Sequence, residues 1–498
     1  MSLPDIPVRL PDQCDYAGRM FKGRLGADAK VQYSVQQPIG NTNSITVQPI
    51  PALFVANSGC AAVSTPSVST TFNIPCGAAY MNSVLDTSFT CLNGTMTFVI
   101  STAAVGATAG ELHLISSFAS IIDNSTTLYN QFTIDQVAAY GLLQDLLLAL
   151  YLTYSDRCGN YSIGWGCDEF ASGSEGLGGT SGLNIAFAAT GTQVFSFCFP
   201  ILSSLGMLAN TQYVPLGWFN GNLQWQFNSA KITPISSFCS AITTAGVMSS
   251  CTIGGLQIQT KIIDLGVEAG RMLRESIGPN LVLKMDAWQN QSATINSGTS
   301  GTVYLSTSAR KKSIRSIFTT FGTSTVSGTC ANGLYDAIVP GGCTGVNWRI
   351  NNTQYPQYTL NPTANSAQCY LHTLDATGRS DVNTHRGSQT RYTINNHVVA
   401  TSGTVDENAL LIASGLRTLP AGGTCPISRV PCKFILGLNT ETTTSPSMFA
   451  GLDSSTQDIQ LVLTLPVSVG SNNIQANFFI LYDQVVIIDQ AGNPFSWS

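Results

Sequence analysis

Residues Ile253–Pro279, IGGLQIQTKIIDLGVEAGRMLRESIGP, change from the periodicity of a strand to that of a helix. In the first part apolar and polar residues alternate, which is typical of a half-buried strand. The apolar positions there are Leu256, Ile258 and Ile262, and the polar ones are Gln257, Gln259 and Lys261. In the second part apolar residues recur at helical spacing, at Leu265, Ala269, Met272, Leu273 and Ile277. Gly278-Pro279 ends the predicted helix, because proline cannot continue one. We interpret the stretch as a hinge between two halves.

The segments on the two sides of the hinge follow the same order. Each side has strand patterns, a Ser-Phe segment, a helix pattern and two closing strands. The Ser-Phe segments are Leu114–Ile122 and Ser313–Phe321. The closing strands are Gly221–Phe227 with Ile253–Asp264, and Ile459–Leu465 with Ile474–Asp489. Identity between the halves is low, so the repeat is one of pattern. We predict one all-β unit that is used twice.

The composition indicates a protein that assembles. The chain has 498 residues, which exceeds what one core normally supports, so two domains are expected. Charged residues make up 10% of the chain, well below the usual fraction of about 25%. Disorder is excluded because 44% of residues are hydrophobic and the net charge is -5. A pI near 5.3 also argues against non-specific nucleic-acid binding. We therefore expect much of the surface to be buried in an assembly.

The first thirty residues, Met1–Lys30, mix basic and acidic side chains without a sustained period. They predict an extended arm that packs against a neighbour. Two prolines and no apolar core in Met1–Leu10 argue against a secretory signal.

Three local patterns predict antiparallel strand pairs. Asn93-Gly94 is the favoured dipeptide of a two-residue hairpin turn, and apolar residues flank it. Leu183–Phe187 alternates up to Gly191, after which Val194–Phe199 is expected to return. Near the end, Ile474–Tyr482 is expected to return along Ile459–Leu465 after a turn at Gly470–Asn473.

Two helices and two long loops are expected. Asp135–Tyr154 is apolar enough to be weighed as a membrane span, but Asp145 inside it and the lack of a basic flank favour a helix that covers a barrel or a subunit contact. The second helix is Ala364–Asp375. The glycine-rich Ser155–Gly182 is expected to be an exposed loop.

One basic cluster and the cysteines leave alternatives open. Arg310–Lys312 with Arg315 is either a solvated turn or a contact with an acidic partner or packaged nucleic acid. The chain has 14 cysteines, and its nearest couples, Cys158 with Cys167 and Cys425 with Cys432, lack the spacing of a zinc site. We interpret the cysteines as buried free thiols, with one or two disulfides as the alternative.

No catalytic, cofactor-binding or metal-binding residues are assigned, and we expect a protein that is not an enzyme. The four histidines, His113, His372, His385 and His397, do not form a zinc-protease motif. Gly176–Gly182 has no following lysine, which argues against a phosphate-binding loop. Asp168-Glu169 and Asp406-Glu407 remain as non-specific candidates for a carboxylate pair.

Six segments, taken in order, follow a common pattern: Glu111–Tyr151, Val214–Gly221, Ile253–Leu273, Ser313–Phe321, Tyr355-Pro356 and Phe434–Asp489. In this order they resemble the double jelly-roll major capsid proteins of double-stranded DNA viruses, above all those of virophages and polinton-like viruses. The resemblance covers nearly the whole chain.

The resemblance implies an all-β fold of two tandem eight-stranded jelly rolls with a few short helices in the loops. The expected domains are the arm Met1–Lys30, a first jelly roll Val31–Leu265, a linker Gly266–Gly278 and a second jelly roll Pro279–Ser498. It also implies a homotrimer that tiles an icosahedral virion shell, assembled inside the host cell, with penton and minor capsid proteins as further partners.

Several features follow from the same resemblance. Ser155–Gly182 and Val326–Gly345 would decorate the outer face of the shell, and the arm would lie beneath it. No cofactor, membrane span or specific nucleic-acid binding is expected. The alternative is a secreted or surface all-β binding protein of the lectin or adhesin kind, for which neither a signal peptide nor a clustered sugar site is evident.

Overall fold

The computed structural model describes most of both halves of the chain. The described residues are 42–47, 69–102, 109–114, 118–151, 183–188, 191–208, 213–229, 236–240, 247–323, 343–350, 353–362, 364–377, 435–441, 451–456, 458–466, 473–489 and 492–497.

Strands dominate the structure. In chain order they are β1 (Thr42–Val47), β2 (Ser69–Ile74), β3 (Ser83–Thr102), β4 (Ala109–Leu114), β5 (Ile122–Tyr129), β6 (Phe132–Ala138), β7 (Leu183–Ala188), β8 (Gly191–Pro200), β9 (Tyr213–Pro215), β10 (Leu223–Ser229), β11 (Ser236–Ser240), β12 (Val247–Asp264), β13 (Leu281–Ile295), β14 (Gly301–Thr307), β15 (Ile314–Thr323), β16 (Gly345–Ile350), β17 (Thr353–Leu360), β18 (Ile435–Asn439), β19 (Ile459–Leu465), β20 (Ile474–Ile488) and β21 (Pro494–Trp497). The α-helices are α1 (Tyr140–Tyr151), α2 (Gly266–Ile277) and α3 (Ser366–Ala376).

The same strand order occurs in both halves. The first half forms the sheets β1-β12-β3-β8 and β2-β10-β5-β6, and the second forms β13-β20-β15-β18 and β14-β19-β16-β17. When the eight strands of each half are numbered in chain order, both halves read 1-8-3-6 and 2-7-4-5. This alternation of successive strands between two antiparallel sheets is the topology of an eight-stranded jelly roll. The predicted fold class is confirmed, and we call the halves the first and second barrel.

A third sheet belongs to the connections of the first barrel. Its order is β11-β4-β7. These strands lie in the connections between strands 3 and 4, 5 and 6, and 7 and 8 of the barrel. Because successive strands reverse direction, these three connections leave from the same end of the barrel. We call that end the loop end.

The core explains why both halves fold in this way. Trp225 on β10 and Trp348 on β16 are fully buried, and Trp225 lies 5.8 Å from the Phe72 ring on β2. Burying a large aromatic side chain stabilises the fold by a few kcal/mol, about 3 kcal/mol or less for each ring. In the second barrel, α3 is fixed to β18 through Thr373, whose hydroxyl donates to the Ile435 carbonyl at 2.8 Å.

The hinge prediction is confirmed in its elements. Leu256, Ile258 and Ile262 are buried on β12, and α2 follows after Leu265. The helix ends at Gly278, which has a φ of 81°. Residues other than glycine rarely adopt this backbone angle.

The predicted turn at Asn93-Gly94 is wrong. Both residues lie inside β3, where Asn93 faces Gln257 of β12 on one side and Cys198 of β8 on the other. A side chain at Gly94 would approach the Phe197 ring to 2.8 Å, so the glycine permits close packing of that ring. Pairing on both edges of the strand overrides the local turn preference.

The predicted strand pairs are also wrong in their partners. Leu183–Ala188 pairs with β4 and Gly191–Pro200 pairs with β3, so the two segments do not pair with each other. Likewise β19 and β20 lie in opposite sheets of the second barrel. Alternation identifies a strand but not its neighbour, and a jelly roll sends successive strands to different sheets, except its fourth and fifth.

The predicted helix at Asp135–Tyr154 is shorter than expected. Its first residues belong to β6, and α1 begins only after Ala139, which has a φ of 51°. The buried face of α1 joins the core through Tyr140, Leu143, Leu146 and Leu150. Within the described residues, no helix has the length and apolar character needed to cross a membrane. The second predicted helix, Ala364–Asp375, is confirmed as α3.

Candidate assembly surfaces

The two barrels meet through edge strands. β6 is the last strand of one sheet of the first barrel, and β13 is the first strand of a sheet of the second, and the two run beside each other. The Gln484 side-chain amide on β20 donates a buried hydrogen bond of 2.7 Å to the Ile134 carbonyl on β6. The Asp286 backbone N–H donates to the Leu208 carbonyl at 3.3 Å. We call this contact the internal junction.

A cavity of about 10 Å³, roughly the space of one water molecule, lies in the internal junction. Its walls come from both barrels and are mostly apolar: Ile134, Ser204, Leu205, Val214, Phe219, Leu283, Lys284 and Met285. Apolar side chains of the two barrels therefore meet at this point.

A buried carboxyl group lies at the internal junction. Asp135 on β6 is 3% exposed, and its Oδ2 accepts a hydrogen bond of 2.7 Å from the Ser204 backbone N–H. Burial raises the pKa of Asp135 above its ordinary value, against the lowering effect of the Ser204 hydrogen bonds. Burial also raises the pKa of Tyr482 to about 12, with a smaller contribution from Asp135. Ionised Asp135 therefore destabilises the fold relative to its neutral form.

Replacing Asp135 with asparagine should flatten the dependence of stability on pH. Because the folded-state pKa of Asp135 is raised, its stabilising contribution is present below the unfolded pKa and is lost as pH rises through the folded pKa. We subtract the melting temperature of the unchanged protein from that of Asp135→Asn. We expect this difference to increase by roughly 2 to 5 °C when the pH is raised from 4 to 8.

The measurement is a series of thermal unfolding curves at fixed protein concentration. Asp458→Asn is the control, because Asp458 is exposed and its ion pair with Arg310 is long, at 3.9 Å. A constant difference between Asp135→Asn and the unchanged protein at all pH values would contradict the assignment.

A group of charged side chains ties together the strands of the second barrel. Arg315 on β15 lies 2.9 Å from Asp286, 3.4 Å from Glu441 and 4.0 Å from Asp483. The Ser313 hydroxyl donates to Asp483 at 2.8 Å, and Lys284 lies 3.8 Å from the same carboxylate. We call these residues the Arg315 cluster.

The predicted basic cluster is thus divided among different roles. Arg310 forms an exposed pair with Asp458. Lys311 places its ammonium group 4.0 Å from the centre of the Tyr482 ring, and burial lowers its pKa. Arg315 is bound within its own barrel, so its interpretation as part of a solvated turn is wrong.

The second barrel has an edge strand equivalent to β6, and this strand is exposed in the single chain. β17 occupies in the second barrel the position that β6 occupies in the first. In the described part of the chain, β17 pairs with β16 on one side and with no strand on the other. Tyr355 and Tyr358 on β17 are 36% and 49% exposed, and Leu371 on α3 is 58% exposed. The Tyr358 hydroxyl lies 2.7 Å from His372 Nε2 and connects strand to helix. We call this surface, Tyr355, Tyr358 and Leu371, the open edge.

β1 is the matching strand of the first barrel. It stands at the edge of the sheet β1-β12-β3-β8, in the position that β13 holds in the second barrel. β13 lies against β6 in the internal junction, whereas β1 pairs with β12 alone among the strands described. A single chain thus leaves one edge strand of each kind, β17 and β1, available to a neighbour.

Two of the chemically suggestive residues of the sequence, His372 and His113, lie among the described residues. His372 contacts Tyr358, and His113 lies on β4. His385, His397, Asp168-Glu169, Gly176–Gly182 and Asp406-Glu407 lie outside the described residues, as do the arm and the cysteine couples. Over the ranges that the structure describes, no group of three or more His, Cys, Asp or Glu side chains could hold a metal ion. Among the described residues, the thiols Cys76, Cys91, Cys198, Cys343 and Cys369 form no disulfide, and the last two are buried.

Sequence reasoning missed the open edge and Asp135. The sequence signal for the buried acid was the position of Asp135 at the start of the apolar run Asp135–Tyr154. The open edge has no comparable signal, because its importance depends on which strands lie at the ends of the sheets.

Comparison by sequence finds no matching family model and no matching curated protein. Comparison of structures finds the mavirus major capsid protein, with a TM-score of 0.53 and 12% identity over 91% of this chain and 89% of that one. A chain of the Sputnik virophage cryo-EM structure gives 0.52 and 12% over 92% and 88%. The Faustovirus major capsid protein gives 0.50 and 8% over 95% and 97%. The strand order and this coverage show that the chain has the double jelly-roll fold of viral major capsid proteins.

Proposed function

We propose that this chain is the major capsid protein of a double-stranded DNA virus of the virophage kind, and that it forms pseudo-hexagonal homotrimers that tile an icosahedral virion shell. Its activity is assembly, not catalysis. The observation that carries the proposal is that the edge strands equivalent to those of the internal junction, β17 at the open edge and β1, are available to a neighbour. The mavirus and Faustovirus chains that share the fold are major capsid proteins.

The contact between chains follows from the contact within one chain. Inside the chain, β6 of the first barrel lies against β13 of the second. The equivalent contact between chains places β17 of one copy against β1 of the next. This contact is head-to-tail, since it joins two different surfaces, and such contacts generate closed rings when the rotation between copies closes.

Three copies give the ring that fits a shell facet. Each chain contributes two barrels of the same topology, so three chains present six similar walls. Tiles with six similar walls pack on a flat hexagonal lattice. A ring of two chains has four walls and does not fit that lattice. Each contact within the trimer is expected to be of the obligate class, on the order of 2,000 to 5,000 Å².

The remaining parts of the chain take their places around this ring. In chain order, Ser155–Gly182 falls between α1 and β7, and Val326–Gly345 falls between β15 and the start of β16. We propose that both segments decorate the outer face of the shell. The arm Met1–Lys30 would lie on the opposite side, beneath the shell. We propose the domain boundaries given above, with Gly266–Gly278 as the linker; the position of α2 between the two sets of strands supports this division.

Further partners follow from the geometry of the shell. A closed icosahedral shell has fivefold vertices, which a tile of six similar walls does not fit. A separate penton protein would fill them, and minor capsid proteins would bind the inner face. We propose that assembly occurs inside the host cell and that the protein is located in the virion.

The deciding experiment is the solution mass of the purified protein by light scattering, followed by electron microscopy. We expect a particle of about 158 kDa, three times the chain mass of 52.7 kDa, with a pseudo-hexagonal outline. A chain that stays monomeric at high concentration would refute the proposal and would favour a secreted or surface binding protein.

A further inference from the structure

Two cysteines of the first barrel face each other across neighbouring strands. Cys91 lies on β3 opposite Pro200, and Cys198 lies on β8 opposite Asn93. The two cysteines are therefore diagonal neighbours on the same face of the sheet, at a typical separation of about 7 to 8 Å, so a disulfide between them requires β8 to shift toward β3. Leu92 and Phe199, which alternate with them, are buried in the core. The cysteines are consequently on the outward face, and both are half-buried.

The two thiols have unequal pKa values. The hydrogen bond with Cys91 lowers the pKa of the Cys198 thiol to about 7, although burial acts in the opposite direction. The same hydrogen bond, with burial, raises the pKa of the Cys91 thiol. Since the thiolate is the nucleophile in thiol chemistry, Cys198 is the more reactive member near neutral pH.

The other described thiols lack this environment. Burial raises the pKa of Cys343 to about 11 and that of Cys369 to about 12. Burial also raises the pKa of Cys76, whose thiol donates to the Gly221 carbonyl at 3.0 Å. These three thiols stay protonated at neutral pH, and the neighbouring Cys343 thiol raises the pKa of Cys369 further.

We propose that Cys91 and Cys198 are a redox-sensitive pair that forms a cross-strand disulfide when the protein meets a small-molecule disulfide such as oxidised glutathione. The Cys198 thiolate attacks one sulfur of the small molecule, forms a mixed disulfide and releases one small-molecule thiolate. Cys91 then loses its proton to solvent and its sulfur attacks the Cys198 sulfur, which releases the second thiolate. The two cysteines together lose two protons and two electrons, and the small-molecule disulfide gains them as two thiols.

The position of the pair gives the disulfide a structural effect. β8 is the terminal strand of the sheet β1-β12-β3-β8, and it is held to the sheet through β3 alone among the described strands. Terminal strands are the first to separate from a sheet and the ones exposed to wrong pairing. A bond between Cys91 and Cys198 would fasten β8 to its neighbour and close a long loop of chain. Thiols persist in the reducing interior of a cell and disulfides outside it, so the fastening would occur after release.

The experiment exposes the purified full-length protein to oxidised glutathione at neutral pH, alkylates the remaining thiols and maps peptides without reduction. We expect a linked peptide containing Cys91 and Cys198, lighter by two hydrogen atoms than the two separate peptides. We also expect the melting temperature to rise by roughly 5 to 10 °C and to return on reduction.

Three variants sharpen the result. Cys91→Ser should stop the reaction at a mixed disulfide on Cys198, and Cys198→Ser should leave Cys91 unmodified. Cys76→Ser is the matched control and should form the linked peptide as the unchanged protein does. Peptide mapping of the unchanged protein decides the matter even if a variant fails to fold. Persistent glutathione on Cys198, or no modification of either residue, would overturn the proposal. The mapping is read in the same way for a monomer or a trimer, so its outcome is separate from that of the assembly test.

Discussion

Two glutamates on the open edge are expected to convert the proposed trimer of about 158 kDa into single chains of 52.7 kDa. The substitutions are Tyr358→Glu and Leu371→Glu. Both side chains are exposed in the single chain, at 49% and 58%, so the barrels should fold as before. In the trimer the same positions would be covered by β1 of the next copy, and each charge would be removed from water without a partner.

The expected loss is large because the penalty is repeated at every contact of the ring. An unpaired charge in an interface costs several kcal/mol, and about 4 kcal/mol already corresponds to a thousandfold weaker association. Light scattering at a series of protein concentrations should therefore give the single-chain mass throughout. Circular dichroism should show the same strand content as the unchanged protein.

Val267→Glu is the matched control for this experiment. Val267 is an apolar residue on a helix, α2, and is more exposed than Leu371, at 73%. It lies outside the open edge, so its substitution adds the same charge and should leave the trimer intact. If the double variant at the open edge remains trimeric, that edge does not form the contact between chains. If Val267→Glu dissociates the trimer, the effect is one of surface charge in general.

The sequence predicts the elements of this fold better than their neighbours. The alternation in β12 and β19 and the helical spacing in α2 depend on one face of each element being buried, and this leaves a direct mark on the residue order. Which strands pair depends on residues far apart in the chain, so β19 and β20 were assigned to each other although they lie in opposite sheets. The failure at Gly94 has the same origin, since the ring of Phe197 that excludes a side chain there lies about a hundred residues away.

The candidate surfaces could not be predicted from the sequence, for a related reason. β6 and β17 hold the same position in the two barrels, yet β6 lies against β13 of the second barrel and β17 is largely exposed within one chain. The difference becomes visible only when both strands are found at equivalent edges of equivalent barrels. Arg315 shows the limit for charges: it stands close to Arg310 in the sequence, but its side chain reaches Asp286 and Glu441.

Replacing Arg315 with methionine is expected to be strongly destabilising for the second barrel. The change removes the cation that faces Asp286, Glu441 and Asp483 and leaves Lys284 as the remaining described cation beside Asp483. Asp483 is almost fully buried, at 2% exposure, so its charge depends on these neighbours. Removing one partner of a buried pair costs about 3 to 5 kcal/mol, and since Arg315 is partly exposed we expect about 2 to 4 kcal/mol.

Arg310→Met separates this effect from the loss of any surface arginine. The Arg310–Asp458 pair is exposed at both ends, with 66% and 61% of the side chains accessible, so its loss should change stability by about 0.5 kcal/mol or less. Thermal unfolding at one protein concentration should place Arg315→Met roughly 5 to 10 °C below the unchanged protein, and Arg310→Met within about 2 °C of it.

A second substitution tests whether the cost of Arg315→Met comes from unpaired negative charge. Adding Asp286→Asn removes one of the carboxylates that the arginine leaves behind, so the double variant should regain part of the lost melting temperature. Additive losses in the double variant would show that Arg315 contributes through packing of its side chain instead. In the unchanged protein, Asp286→Asn removes a 2.9 Å ion pair and should lower stability. If the same substitution raises stability when Arg315 is absent, the residues of the Arg315 cluster act as a unit.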